Sequence, residues 1–329
     1  MSTTIDILTR DVIELQHNRE YKGKSLIDFP KSYCVIDIET TGLSPDWDEI
    51  IEISALKYED DNLIDEFSSL LKPDDFSDEE PYLDEFITSL TGITDEMLSV
   101  SMDTPIVLKK FLDFVGNCIL IGHNVNFDIN FLYDKIEQYC NYYLSNDFID
   151  TMRLSRKILP DLKHHRLSDL TEHYNILVEN THRAKDDALI TQACYRHLFL
   201  DVADQYDNLN DFKKLFSKRH YDAKACGFQT KTEGVDTSHP LYGKVCVFTG
   251  TLEKMIRKEA MQIVADLGGI NADGVTKKTN YLILGNNDYC ASIKGGKSSK
   301  QKKAEKLKLD GQDIEIIPEN VFYDMIYCD

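Results

Sequence analysis

Long apolar runs are missing from this chain. Its aliphatic stretches are as short as residues 118–121, far below the roughly 20 residues that a membrane-spanning helix needs. The first residues, Met1-Ser2-Thr3-Thr4-Ile5-Asp6, lack both a basic region and an apolar core, so no secretory signal is expected there. Cysteine is sparse as well: eight residues lie at wide intervals with no Cys-x-x-Cys pair. That argues against a zinc site or a disulfide frame and suits reduced thiols. The expectation is a soluble, cytoplasmic protein with no membrane partner. Basic charge is also short, with 37 Lys and Arg against 57 Asp and Glu and a net charge of −20, an unpromising balance for a nucleic-acid protein. What is present, 42% apolar and 29% charged residues over 329 positions, is enough for packed cores and roughly two domains.

The charge is uneven. From His239 onward 13 basic residues face 12 acidic ones, a net of +1, which leaves −21 for the 238 residues before it. An acidic front and a near-neutral back read as two different domains. Seven lysines lie between Lys294 and Lys308, opposed only by Glu305; such a run suits either a solvated helix face or a phosphate-binding role.

Residues 1–30 read as an N-terminal extension, a short polar helix and then an irregular approach ended by Pro30. An α/β pattern fills residues 31–200. Strands are expected at 33–39, 49–57, 66–71 and 118–121, with an acidic, turn-rich loop over 72–81. Helices are expected at 105–114, 127–140, 150–159, 167–174 and 184–198. Three strands followed by strand–helix alternation imply a mixed sheet covered by helices. Residues 201–238 are polar, without a clear period, and read as a linker with room for a helix. A second αβ domain over 239–329 starts with a buried-type strand at 241–248 and a helix at 257–267, whose Ala260, Met261, Ile263, Val264 and Leu267 share one face. Strands at 270–272, 281–284 and 314–317 and a lysine-rich helix near 300–307 complete it.

Asp37 and Glu39 stand two apart on the first expected strand, so alternation puts both carboxylates on one face. Their repulsion and desolvation call for a compensating cation. His123-Asn124-Val125-Asn126-Phe127-Asp128 follows a strand and opens a helix, which exposes Asp128 at a strand's end. His182-Arg183-Ala184-Lys185-Asp186-Asp187 opens the last helix of the domain. His182 and Asp187 are about 140° apart on a helical wheel, so they converge only if His182 sits on the turn before the helix. Four carboxylates and a histidine are the parts of a two-metal phosphodiesterase. Oxygen ligands suit Mg²⁺ or Mn²⁺, two ions clamp a scissile phosphate, and histidine can take a proton from the attacking water.

In these three blocks the chain resembles the DnaQ-like (DEDDh) 3′→5′ exonucleases, over about residues 33–198. Leu90-Thr91-Gly92-Ile93-Thr94 and Asp150-Thr151-Met152-Arg153-Leu154 are also similar to segments of that family. The resemblance implies a ribonuclease H-like fold, with Asp37, Glu39, Asp128 and Asp187 as ligands of two Mg²⁺ or Mn²⁺ ions and His182 as general base. It further implies Thr40 and Asn124 as contacts to the terminal nucleotide.

Toward the C-terminus, Val245-Cys246-Val247-Phe248-Thr249-Gly250-Thr251 presents a hydroxyl and a flexible glycine at a strand end, where backbone N–H groups can hold a phosphate. With Val275-Thr276-Lys277-Lys278-Thr279-Asn280-Tyr281 it resembles BRCT domains of the type found in NAD-dependent DNA ligases and the replication factor C large subunit. That likeness implies that Thr249, Gly250, Arg257 and a lysine bind a DNA 5′-phosphate. Lys300 is the closest match for the lysine, with Lys297 and Lys303 as competitors because an insertion over 290–296 blurs the alignment. The expected function is therefore a metal-dependent 3′→5′ exonuclease acting on single-stranded DNA or 3′ ends in repair or proofreading, beside a DNA polymerase or repair protein. RNA 3′-processing and a non-catalytic DNA-end scaffold are the alternatives.

Overall fold

The computed structural model describes residues 19–45, 47–77, 81–178, 182–216, 225, 227–230, 234–252, 254–285 and 297–327. Residues 1–18, which open the stretch read as a short polar helix and an irregular approach, and the insertion over 290–296 lie outside them. Two compact units part after Phe216, and among the described residues no helix is long and apolar enough to cross a membrane.

The first unit is built on a six-stranded mixed sheet. Strands β1 (Ser32–Thr40), β2 (Ile50–Glu59) and β3 (Asn62–Lys72) form an antiparallel meander. The two-residue β4 (Met102–Asp103) adds in parallel to β3. On the other side of β1 lie β5 (Leu120–Gly122) and β6 (Phe148–Asp150), both parallel to it, giving the order β4-β3-β2-β1-β5-β6. Central strands of this kind are buried on both faces and need apolar residues at every position; residues 33–36 of β1 are all fully buried.

Among the described residues, eight helices cover the sheet. They are α1 (Glu85–Thr91), α2 (Asp95–Ser99), α3 (Thr104–Val115), α4 (Asn126–Cys140), α5 (Thr151–Ile158), α6 (Leu167–Tyr174), α7 (Ala184–Gln205) and α8 (Leu209–Lys213). One core joins Cys34, Ile36 and Ile38 to α3 and α4 through Phe111, Ile129 and Leu132. The opposite core joins Tyr33 and Val35 to α5 and α7 through Leu154, Ala188, Tyr195 and Leu198. The unit is thus a helix–sheet–helix sandwich with β1 at its centre.

Most expected elements appear, with informative shifts. The sequence pattern starts a helix at residue 150, whereas Asp150 ends the three-residue strand β6 and caps α5 by accepting a hydrogen bond from Met152 N at 3.0 Å. Helices α1 and α2 and strand β4 had no counterpart in the sequence reading, being too short to show a period. Helix α7 runs seven residues past its expected end to Gln205, and Phe212 of α8 is buried in the α7-side core, so the start of the stretch read as linker is packed structure. The approach before β1 also has a partner. Leu26 N donates to Phe148 O (2.7 Å) and Phe148 N to Lys24 O (2.9 Å), which covers the otherwise open edge of β6.

The second unit holds a parallel sheet in the order β10-β9-β7-β8, from β7 (Val245–Thr249), β8 (Ile270–Asn271), β9 (Tyr281–Leu284) and β10 (Glu315–Pro318). Helices α9 (Arg257–Asp266) and α11 (Glu319–Tyr327) cover one face through Met261, Val264 and Phe322. Helix α10 (Ser299–Leu309) covers the other through Ala304 against Val247 and Leu282. Strand 241–248 shortens to β7, and α11 was not anticipated.

Candidate active site

The face of β1 that carries Tyr33 and Val35 is apolar where α7 lies over it. The next two positions of the same parity are Asp37 and Glu39, so the carboxylates occupy the end of that face. Helix α7 begins at Ala184 and has Asp187 in its first turn. One carboxylate oxygen from each of Asp37, Glu39 and Asp187 lies within 4.8 Å of the others.

Asp128 enters from the other direction. Strand β5 pairs with β1 only as far as Val35 opposite Ile121, so the next amides of β1 on that edge lack a strand partner. Asp128, in the first turn of α4, is buried and its Oδ1 accepts from Ile38 N at 3.1 Å. That bond fixes its carboxylate beside Asp37, and Asp128 is the strongest charged influence on Asp37.

Burial and crowding raise the pKa of these carboxyls. Burial first, then Asp128, Glu39 and Asp187, push Asp37 well above the usual carboxylate range. Glu39 is pushed up to about 8 by burial, then by Asp187 and Glu52, with Arg183 opposing. Burial raises Asp128 well above its ordinary value against the pull of two backbone N–H donors. Burial also raises Asp187, with His182 opposing. A set of oxygen donors that repel one another and are poorly hydrated fits hard divalent cations, Mg²⁺ or Mn²⁺.

His182 precedes α7 on a turn with φ +63°, an uncommon conformation for a residue with a side chain. Its ring is exposed, and its N–H donates to Asp187 Oδ2 at 3.2 Å. Thr40, at a register shift in β1, donates its hydroxyl to Gly42 O at 2.6 Å. Asn124 is exposed with φ +59°, and its N–H donates to Asp150 Oδ1 at 3.0 Å. Its neighbour His123 is held by Thr151 Oγ1 and His165 O, both at 2.9 Å, and burial pushes it down to about 4. His123 is therefore a neutral structural imidazole.

Sequence reasoning passed over Glu52 and Arg183. Glu52 of β2 stands opposite Glu39 in register and is buried. It accepts from Arg183 Nη2 (2.6 Å), Arg183 Nε (3.0 Å) and Ala184 N (3.0 Å). The available signal was a carboxylate at an inward position of a buried strand, which requires a partner.

In the second unit, Thr249, Gly250, Arg257 and Lys300 gather at the C-terminal end of β7. Thr249 Oγ1 donates to Ser298 Oγ at 2.8 Å, and Gly250 takes φ +75°. Arg257 Nη2 donates to Gly250 O (2.7 Å) and Lys300 Nζ to Phe248 O (2.9 Å). Lys297 instead pairs with Glu305 at 3.3 Å, and Lys303 is exposed.

Fold and centre together define the class: a ribonuclease H-like α/β domain with an all-carboxylate cluster, followed by a small αβα domain. Residues 34–195 match the Exonuclease (RNase_T) family model and residues 236–310 the BRCA1 C Terminus (BRCT) model. The chain thus carries an exonuclease domain of the RNase_T, DnaQ-like family and, after it, a BRCT domain. It is 40% identical over 178 residues to the PolC-type DNA polymerase III of Latilactobacillus sakei, covering 54% of this chain and 12% of that protein. Against the PolC-type DNA polymerase III of Listeria welshimeri it is 35% identical over 210 residues, 62% of this chain and 14% of that one. The chain therefore spans about an eighth of the length of these curated relatives. Exonuclease I of E. coli in complex with a dA16 oligonucleotide is 20% identical with a TM-score of 0.45, covering 58% of this chain and 44% of that one.

Proposed function

We propose that this chain removes nucleoside monophosphates from the 3′ ends of DNA in a divalent-metal-dependent hydrolysis, in repair or proofreading. The observation that carries the reading is the convergence of Asp37, Glu39 and Asp187, with His182 tied to Asp187. Asp37, Glu39 and Asp187 would hold one ion, and Asp37 with Asp128 a second. When bound, the ions supply Lewis-acid stabilisation of the phosphate charge and lower the cost of activating water. An unprotonated ring nitrogen of His182 accepts the proton of the attacking water. Its exposure lets the ring reach a bound substrate, while its backbone anchor limits where it can go. Thr40 and Asn124 border the same sheet end and would contact the terminal nucleotide.

DNA is favoured as substrate by likeness to PolC-type DNA polymerase III at 35–40% identity. The acidic catalytic unit attracts nucleic acid poorly by itself. The BRCT site would compensate by holding a DNA 5′-phosphate on Thr249, the Gly250 turn, Arg257 and Lys300, a site equally suited to a phosphate-bearing partner protein. Arg257 and Lys300 are already aimed at that turn by their bonds to backbone carbonyls, so little ordering remains to be done on binding. The test compares matched DNA and RNA oligonucleotides with the wild type, Asp37→Ala and His182→Ala. Metal-dependent release from DNA that is lost in Asp37→Ala and falls ~10²- to 10⁴-fold in His182→Ala is expected; wild-type rates in both would refute the site.

A further inference from the structure

His182 stands on an exposed turn in a strained backbone conformation, held to Asp187 by a single 3.2 Å bond. A general base so placed needs a further constraint, because misplacement by about 1 Å costs up to ~10²-fold in rate. The next residue in the chain supplies one. Arg183 grips Glu52 with two nitrogens, at 2.6 and 3.0 Å, while the Ala184 amide donates to the same carboxylate at 3.0 Å. Side chain and main chain on both sides of the Arg183–Ala184 peptide are thus fastened to one buried group on β2. A planar guanidinium facing a carboxylate in this two-pronged way fixes direction as well as distance.

The same pair bears on the charge of the cluster. Glu52 stands opposite Glu39 and adds to the upward push on it, which Arg183 opposes. Neutralised by Arg183, Glu52 is a fixed post on the rigid sheet to which the start of α7 is tied.

We propose that Glu52, acting through Arg183 and the Ala184 amide, is a positioning residue that holds His182 at the reacting phosphate. The proposal rests on the reading of His182 as the general base. It gives the strand position of Glu52 and the arginine after His182 a role in turnover that metal binding does not use.

A double-mutant cycle on the full chain tests it, with turnover of single-stranded DNA measured for the wild type, Glu52→Gln, His182→Ala and the double variant, together with Mn²⁺ affinity by calorimetry. Glu52→Gln should lower kcat by ~10- to 100-fold with little change in KM or Mn²⁺ affinity. On the His182→Ala background the same change should lower kcat less than ~2-fold, because the group it positions is gone. Arg183→Ala, at a partly exposed side chain, should show the same pattern and serves if Glu52→Gln folds poorly. Equal losses on both backgrounds, or a wild-type kcat in Glu52→Gln and Arg183→Ala, would overturn the proposal. Full activity in His182→Ala would instead overturn the general-base reading, and the proposal would fall with it.

Discussion

The backbone amide of His182 donates to a carboxylate oxygen of Asp187, five residues on, at 3.2 Å. The bond closes the first turn of α7 onto the turn that precedes it. It brings an exposed histidine and a half-buried carboxylate to the same point, which the helical wheel alone forbids. Chemistry at this site follows from how that pair meets the β1 carboxylates.

Asp37 is the most crowded member of the cluster, and replacing it should separate function from stability. Asp37→Asn is expected to lower kcat by at least ~10³-fold, since several kcal/mol of metal-derived stabilisation is lost. The metal-free variant should melt higher than metal-free wild type, because one of four mutually repelling carboxylates is gone. A gain of about 1 kcal/mol corresponds to roughly 2–4 °C. Calorimetry in EDTA checks the second expectation; a lower Tm would contradict it.

The raised carboxyl pKa values fix a pH dependence. Glu39 titrates near 8 in the folded protein against 4.5 ordinarily, so between those values the folded state holds a proton that the unfolded state has lost. Metal-free stability from this group is complete below pH 4.5 and falls as pH rises through about 8. Metal binding must displace the proton, so Mn²⁺ affinity should climb up to ~10-fold per pH unit per displaced proton across this window. Melting curves with EDTA and with Mn²⁺ should therefore diverge as pH rises. A constant gap would contradict the assignment.

Trp47 is the chain's one tryptophan. It is 77% exposed on the loop from β1 to β2, next to the sheet end that bears Glu39. The loop is braced by Ser44 N to Asp48 Oδ2 (2.8 Å) and Thr41 N to Glu49 O (2.9 Å). A nuclease-resistant oligothymidylate should quench the fluorescence, and Trp47→Ala should weaken binding ~5-fold or more if a base stacks there. An unchanged spectrum at saturation would place the DNA elsewhere.

The BRCT site has its own readout. Lys300→Ala and Arg257→Ala should each weaken binding of a 5′-phosphorylated duplex by ~5- to 20-fold and reduce the salt dependence by about one phosphate contact. Hydrolysis of a nucleotide ester too small to reach that domain should not change. Equal affinity of wild type and variants, or of phosphorylated and unphosphorylated duplexes, would remove the phosphate role.

Much of this was legible in the sequence, for identifiable reasons. The shared face of Asp37 and Glu39 follows from the two-residue period of a strand. Helices α4, α6 and α9 follow from their apolar faces. The strand–helix order puts Asp128 at a strand's end, but the ligand roles of Asp128 and Asp187 came from the resemblance, because nothing local shows which side chains meet across the sheet. Glu52 was invisible because its partner Arg183 lies 131 residues away and both look ordinary in isolation. Strand β6 was lost to a helix because three residues carry no period. Lys300 stands out among seven neighbouring lysines only once Phe248 O is seen beneath it.

The central claim is that the carboxylate cluster directs hydrolysis inward from a 3′ terminus. Digestion of 5′-labelled single-stranded DNA with Mg²⁺ or Mn²⁺, with and without EDTA, tests it most directly. The expected result is a ladder of labelled fragments that shortens one nucleotide at a time and is absent with EDTA. Immediate release of the label as a mononucleotide, or cleavage that persists in EDTA, would contradict the claim.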